Sequence, residues 1–168
     1  MSRYTVAVLV NNHFGVLNRV TSMFRRRQFN IRALTVSETE TSALSRITVV
    51  FDGEETAKQQ LINQLYKLPD VCSIKELSDD DSVSCELLLI KMKNDAKFRD
   101  DICSAADAFG AITVDYSKDY IMFRLTDTTR RIDDFINLMH DFTILEICRT
   151  GSVSLERGST TIRQIINF

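Results

Sequence analysis

Residues 6–20 read VAVLVNNHFGVLNRV, and the change of pattern inside that run decides the fold. Val6 to Val10 is an unbroken apolar stretch, the body of a strand expected over Tyr4 to Val10. From Gly15 to Arg27 the apolar residues take helical spacing, with Leu17, Val20 and Phe24 on one face. The intervening NNHFG is therefore a strand-to-helix connection, and it places one of the chain's five glycines at the helix entrance.

The pattern continues outward from that hinge. Asn30 to Ser37 and Leu44 to Phe51, rich in Thr, Val and Ile, read as two strands across the polar turn TETS. Glu54 to Leu68 sets Ala57, Leu61, Leu65 and Leu68 on one helical stripe, stopped by Pro69, the single proline. Val71 to Leu77 is a last short strand, so the order is βαββαβ. Then comes SDDDS, residues 78–82, whose like charges keep it out of any core.

The same order repeats beyond it. Val83 to Met92 reads as a strand, and Asp95 to Phe109 as a helix bearing Phe98, Ile102, Ala105 and Phe109, with Gly110 as its stop. Ala111 to Asp115 and Tyr120 to Leu125 form a hairpin around YSKD; Thr128 to His140 is a helix burying Ile132, Phe135, Ile136 and Met139; Thr143 to Cys148 is the final strand. The expected class is α+β, two tandem ferredoxin-like βαββαβ domains over 1–78 and 83–168 with an acidic linker at 79–82. Helices on one face leave the other face of each sheet bare, so homo-oligomerisation or pairing of the two halves is expected to cover it.

Composition excludes several function classes. A formal net charge of -2 and a pI near 5.7 offer no basic face for nucleic acid. The opening MSRYTVAVLV is too short in its apolar part for a signal peptide or membrane span, and a cytoplasmic protein is expected. No GxxxxGK[ST] loop, GxGxxG fingerprint or GxSxG elbow occurs. Cys72, Cys85, Cys103 and Cys148 form no CxxC pair and read as reduced, buried thiols; Asp79, Asp80 and Asp81 lack calcium-loop spacing, so no metal site is expected. Arg25, Arg26 and Arg27 suit a helix C-terminus, as does His140.

What remains is the hinge. A helix beginning at Gly15 points unpaired N–H groups at whatever precedes it, which suits a carboxylate. Asn12 offers a donor and an acceptor, and Asn30 is expected near the same end of the sheet. An amino acid needs that mixture together with an apolar wall. The same residues also fit a plain turn and a tight corner, and their spacing does not choose between the two.

The segment VLVNNHFGVLNRVTSMFRRRQFNIRALTVSET, followed by LSRITVV, resembles the ACT domain of the small regulatory subunit of acetolactate synthase, also called acetohydroxyacid synthase. The matching positions are Asn12, Gly15, Leu17, Arg19 and Val20; Phe29, Asn30, Ile31 and Leu34; and Leu44, Ser45 and Arg46. ILEICRTGSVSLERG, residues 144–158, extends the resemblance across nearly the whole chain. It implies a non-catalytic subunit that activates a catalytic large subunit using thiamine diphosphate, Mg²⁺ and FAD, and that confers feedback inhibition by a branched-chain amino acid, chiefly valine. It also implies a homodimer with the effector held by Asn12, Gly15, Val16, Leu17, Asn30 and Ile31, and no cofactor on this chain. A free-standing ACT-type amino-acid sensor or transcriptional co-regulator is the alternative. His13 and Phe14 depart from the smaller, acidic loop pair common in the family, and FDGEET at 51–56 departs as well.

Overall fold

The computed structural model describes residues 2–164. The first half runs β1 (Ser2–Asn11), α1 (Val16–Arg26), β2 (Asn30–Glu38), β3 (Leu44–Gly53), α2 (Glu55–Leu65) and β4 (Val71–Leu77). The second runs β5 (Ser82–Lys93), α3 (Arg99–Phe109), β6 (Ile112–Tyr116), β7 (Tyr120–Asp127), α4 (Thr129–Met139) and β8 (Ile144–Arg149). A short strand β9 (Val153–Glu156) and a 3-10 turn (Ile162–Gln164) follow.

The sheets have the strand orders β2-β3-β1-β4 and β6-β7-β5-β8, with antiparallel pairing along both paths. This is the ferredoxin-like order that two βαβ crossovers per half dictate. Each strand sends alternate residues to opposite faces. In the first sheet Val6 and Val8 stand beside Val49 and Ile47, and with Val20, Phe24, Leu61 and Leu65 they form a fully buried core. Phe24, Phe29 and Phe51 pack edge to face with centroids 5.1 to 6.4 Å apart, worth about 0.5–1.5 kcal/mol per pair beyond area burial. The second sheet repeats the plan: Leu88, Ile90 and Met92 lie beside Leu125, Phe123 and Ile121 under Ile102, Phe135 and Met139.

Helix ends follow local chemistry. Gly15, at φ 83°, opens α1 in the left-handed region that side chains disfavour; Gly110, at φ 72°, closes α3. Thr128 caps α4 by accepting the Arg131 N–H, and His140 forms its C-terminal cap. The helix expected from Asp95 begins only at Arg99, because residues 95–98 make a turn in which Asp95 Oδ1 accepts the Lys97 N–H and the Asp95 carbonyl accepts that of Phe98. No helix among the described residues is long and apolar enough to cross a membrane.

Two expectations need correction. The chain forms two compact units, but the division does not leave 83–168 whole: the first unit runs through Val83 and resumes at Val153, and the second is Ser84–Ser152. The returning segment bonds to the helix-free face of the first sheet. Arg46 Nη2 donates to the Ser154 carbonyl at 2.7 Å, Ser73 Oγ to the Ile162 carbonyl at 2.7 Å, and Lys75 pairs with Glu156 at 2.7 Å. Arg163 then reaches Glu40 and Thr41 in the β2–β3 turn. Ala7, Leu9 and Thr48 on that face are thereby at most 4% exposed, so the chain's own C-terminal segment does the covering that oligomerisation or pairing of the halves was expected to do. The acidic linker SDDDS keeps Asp79, Asp80 and Asp81 exposed in a turn in which Ser78 Oγ accepts the Asp81 N–H and Ser82 Oγ donates to the Ser78 carbonyl. Second, none of the free cysteines is buried: Cys72 and Cys148, on the edge strands β4 and β8, are exposed, while Cys85, near the start of β5, and Cys103, on α3, are half-buried.

Candidate functional site

The β1–α1 loop is built from three elements. Backbone bonds from Asn11 N–H to the Asp70 carbonyl and from Asn12 N–H to the Ala43 carbonyl anchor it to the start of β4 and to the β2–β3 turn. Asn12 Nδ2 donates to Glu38 Oε1 at 3.0 Å and to the Ser42 carbonyl at 2.9 Å, so both amide hydrogens are used and Oδ1 is left as an acceptor. Gly15 then turns the chain, and a Cβ built there would meet nothing nearer than Arg19 Nη2 at 4.0 Å. The corner is thus open above the helix end, and the positive φ, not crowding, is what calls for glycine.

The first turn of α1 faces this opening with its donors. Val16 N–H makes a long 3.4 Å bond to the His13 carbonyl, while the N–H groups of Leu17 and Asn18 reach no backbone acceptor among the described residues. The helix has no side-chain cap and no acidic residue in its first turn, so its own sequence offers no carboxylate to the positive end of its dipole. Val16 is buried and Leu17 is 41% exposed; Phe14, at the loop tip, is fully exposed. The corner can therefore receive a small carboxylate, with an acceptor and apolar side chains close by.

Two charged residues stand beside it, Arg19 of the family-like pattern and Asp70, which the sequence did not single out. Asp70 is buried, and it holds His13 Nε2 at 2.8 Å and Arg19 Nη2 at 3.2 Å. The signal available was its place directly after Pro69, where the chain enters β4 next to the end of β1. Arg19 belongs to the family-like pattern, yet helical spacing alone gives no indication that its side chain folds back over Gly15.

Asn30 and Ile31 do not join this cluster within one chain. Asn30 lies opposite Asp52, at the end of β3 far from Leu44 and the loop, about 26 Å away at 3.3 Å per residue. The expectation of a common end fails because a βαβ crossover makes β1 and β2 parallel: the start of β2 sits with the start of β1, not with its end. Asn30 is exposed, and Ile31 is half-buried against the core. Beside Asn30, the hydrogen bond from Arg32, reinforced by Arg3, holds the Asp52 carboxyl below the usual carboxylate range.

No group of three His, Cys, Asp or Glu residues among those described is placed to hold a metal ion. The chain is similar to known proteins along most of its length. Residues 6–73 match the family model for the AHAS small subunit-like ACT domain, and residues 85–158 that for the small subunit of acetolactate synthase. The probable acetolactate synthase small subunit of Archaeoglobus fulgidus is 40% identical, the alignment covering 94% of this chain and 98% of the relative. The chain belongs to the acetolactate synthase small-subunit family. The family's member from Haemophilus influenzae is 37% identical over 95% of this chain and 99% of its own length. The crystal structure of the Thermotoga maritima small subunit superposes with a TM-score of 0.87 at 31% identity, covering 95% of this chain and all of that one. Membership places the chain with regulatory subunits of the ACT type and not with catalytic ones.

Proposed function

We propose that this chain binds a catalytic large subunit of acetolactate synthase, raises its activity, and makes it sensitive to a branched-chain amino acid, valine foremost, held at the β1–α1 loop. Thiamine diphosphate, Mg²⁺ and FAD belong in this reading to the catalytic subunit. The observation that carries it is the uncapped start of α1 at Gly15, with free N–H groups at Leu17 and Asn18, in a chain of this family. A helix N-terminus contributes only about 0.3–1 kcal/mol toward an anion, up to about 2 when partly buried, so other groups must complete the site.

A second copy can supply them. β2 is an edge strand of the first sheet and among the described residues pairs with β3 alone, so its other edge can receive a strand. Two β2 strands joined antiparallel about a twofold axis would set Asn30 of the second copy opposite Glu38, and Glu38 is the residue that Asn12 holds. The halves separated by about 26 Å within one chain would then converge between two chains. Asn12 Oδ1 would take the ammonium group, the α1 N-terminus the carboxylate, and Val16, Leu17 and Ile31 would wall the site. Such a site links effector binding to dimer geometry, and a coupling of about 1–3 kcal/mol is the usual scale of an allosteric effect.

Gly15→Asp tests the reading. It places a carboxylate where the ligand's own must lie, and calorimetry with valine should show binding lost. The reconstituted enzyme should keep its activity while losing its inhibition. Undiminished valine binding by this variant would remove the site from the loop.

A further inference from the structure

The second unit repeats the corner just described, with different chemistry. There the β5–α3 and α4–β8 connections border an open cleft of about 210 Å³ lined by Lys93, Asp95, Phe98, Ile102 and Asp141 to Thr143. They occupy the same topological position as the β1–α1 and α2–β4 connections of the first unit. In the first unit the polar side chains at that corner pair with one another, His13 and Arg19 both closing on Asp70. In the second they do not: the side chains of Lys93 and Asp141 make no hydrogen bond or ion pair among the described residues. Asp95 uses Oδ1 to hold the turn through the Lys97 N–H.

The apolar part is equally specific. Phe98 and Phe142 face each other at 6.0 Å between centroids, and Ile102 behind them is buried. Phe98 nonetheless remains 38% exposed, a large apolar surface turned toward solvent at the rim of a cleft. The Lys93 N–H bonds to the Thr143 carbonyl at 2.9 Å, which fixes the two connections to each other and preforms the space between them.

We propose that this cleft binds a free α-amino acid with an apolar side chain, as a second site on the chain. The volume lies below the roughly 300–1,000 Å³ of pockets for drug-sized ligands, so the occupant is smaller. One cation and two carboxylates suit a zwitterion and disfavour a phosphate or a simple anion. The first turn of α3 carries Asp100 and Asp101, which oppose a carboxylate at that helix end. The ligand carboxylate therefore goes to Lys93 Nζ, its ammonium group to Asp141 and the free oxygen of Asp95, and its side chain to the Phe98–Phe142 pair. This assignment does not depend on the β1–α1 site.

The experiment is an amide NMR titration of the full chain with alanine, valine, leucine and phenylalanine, in the parent and in Gly15→Asp. Saturable shifts at residues 93–99 and 141–144 should persist in Gly15→Asp. Either Lys93→Met or Asp141→Asn should weaken them about tenfold or more, the loss expected for one charge-assisted hydrogen bond. Both changes lie on exposed side chains, and the remaining amide signals report whether each variant is folded. The proposal is overturned if none of the amino acids shifts these amides, or if both variants titrate as the parent does. Loss of shifts at residues 12–18 in Gly15→Asp speaks only to the first site, so the two readings fail separately.

Discussion

The two units share one topology and finish it differently. In the first, the helix-free sheet face is sealed: Ala7 and Leu9 are at most 2% exposed beneath the segment that carries Ser154 and Ile162. In the second, the corresponding face presents Leu87, Leu89 and Met122 half-buried and Ile112 54% exposed. The loop corners contrast in the opposite sense, since the first is locked by ion pairs to Asp70 and the second leaves its charges open. Repeating a fold thus repeats the positions at which a site can form, while the side chains placed there decide whether each position is closed or left for a partner.

The largest effect that should separate the units comes from their matched core aromatics, Phe51 on β3 and Phe123 on β7, each at most 1% exposed. Replacing either by Ala should cost about 3–5 kcal/mol. Hydrogen exchange should show protection lost in the strands of the altered unit. Equal loss in both units from either change would break the picture of two separate cores. Next is truncation after Ser152, which strips the cover from Leu9 and its neighbours. Burying one such side chain is worth about 1.5–3 kcal/mol, so destabilisation of at least that size is expected, with self-association seen by light scattering. A truncated chain that keeps the parent's oligomeric state and stability would remove the covering role of the segment.

Asp70→Asn should be milder. It weakens the hold on His13 and Arg19 at a buried position, with about 1–3 kcal/mol lost and weaker valine binding, both readable by calorimetry. The smallest effect is that of pH. Asp52 is held down chiefly by the Arg32 hydrogen bond, and Glu55 by those from Lys58 and then Tyr4. Both folded carboxyls lie below their unfolded values, so their contribution is full above about pH 4 and is lost as pH falls through the folded values. Thermal melting at pH 3 and pH 6 should show a modest drop that Asp52→Asn reduces.

Much of this was legible in the residues themselves. Apolar spacing located twelve of the strands and helices, because the buried face of each element repeats within a few residues. The hinge NNHFG also announced its helix end, since a positive φ and an uncapped turn need glycine locally. What escaped is what depends on distant chain. Val153–Glu156 is too short and polar to declare a place in the first unit, and its bonds to Arg46 and Lys75 span the whole second unit. Asn30 was set at the wrong end because strand direction, not sequence proximity, decides which termini meet. The Asp70 cluster joins residues from three elements, and no local period encodes it.

The return of the C-terminal segment has a consequence for synthesis. The Arg46–Ser154 bond spans 108 positions, and Ser73–Ile162 spans 89. At about 5–20 residues per second, the first sheet leaves the ribosome several seconds before the strand that covers it is made. During that interval Ala7 and Leu9 face water or whatever meets them first, and the first unit waits for the second to be made before it is complete.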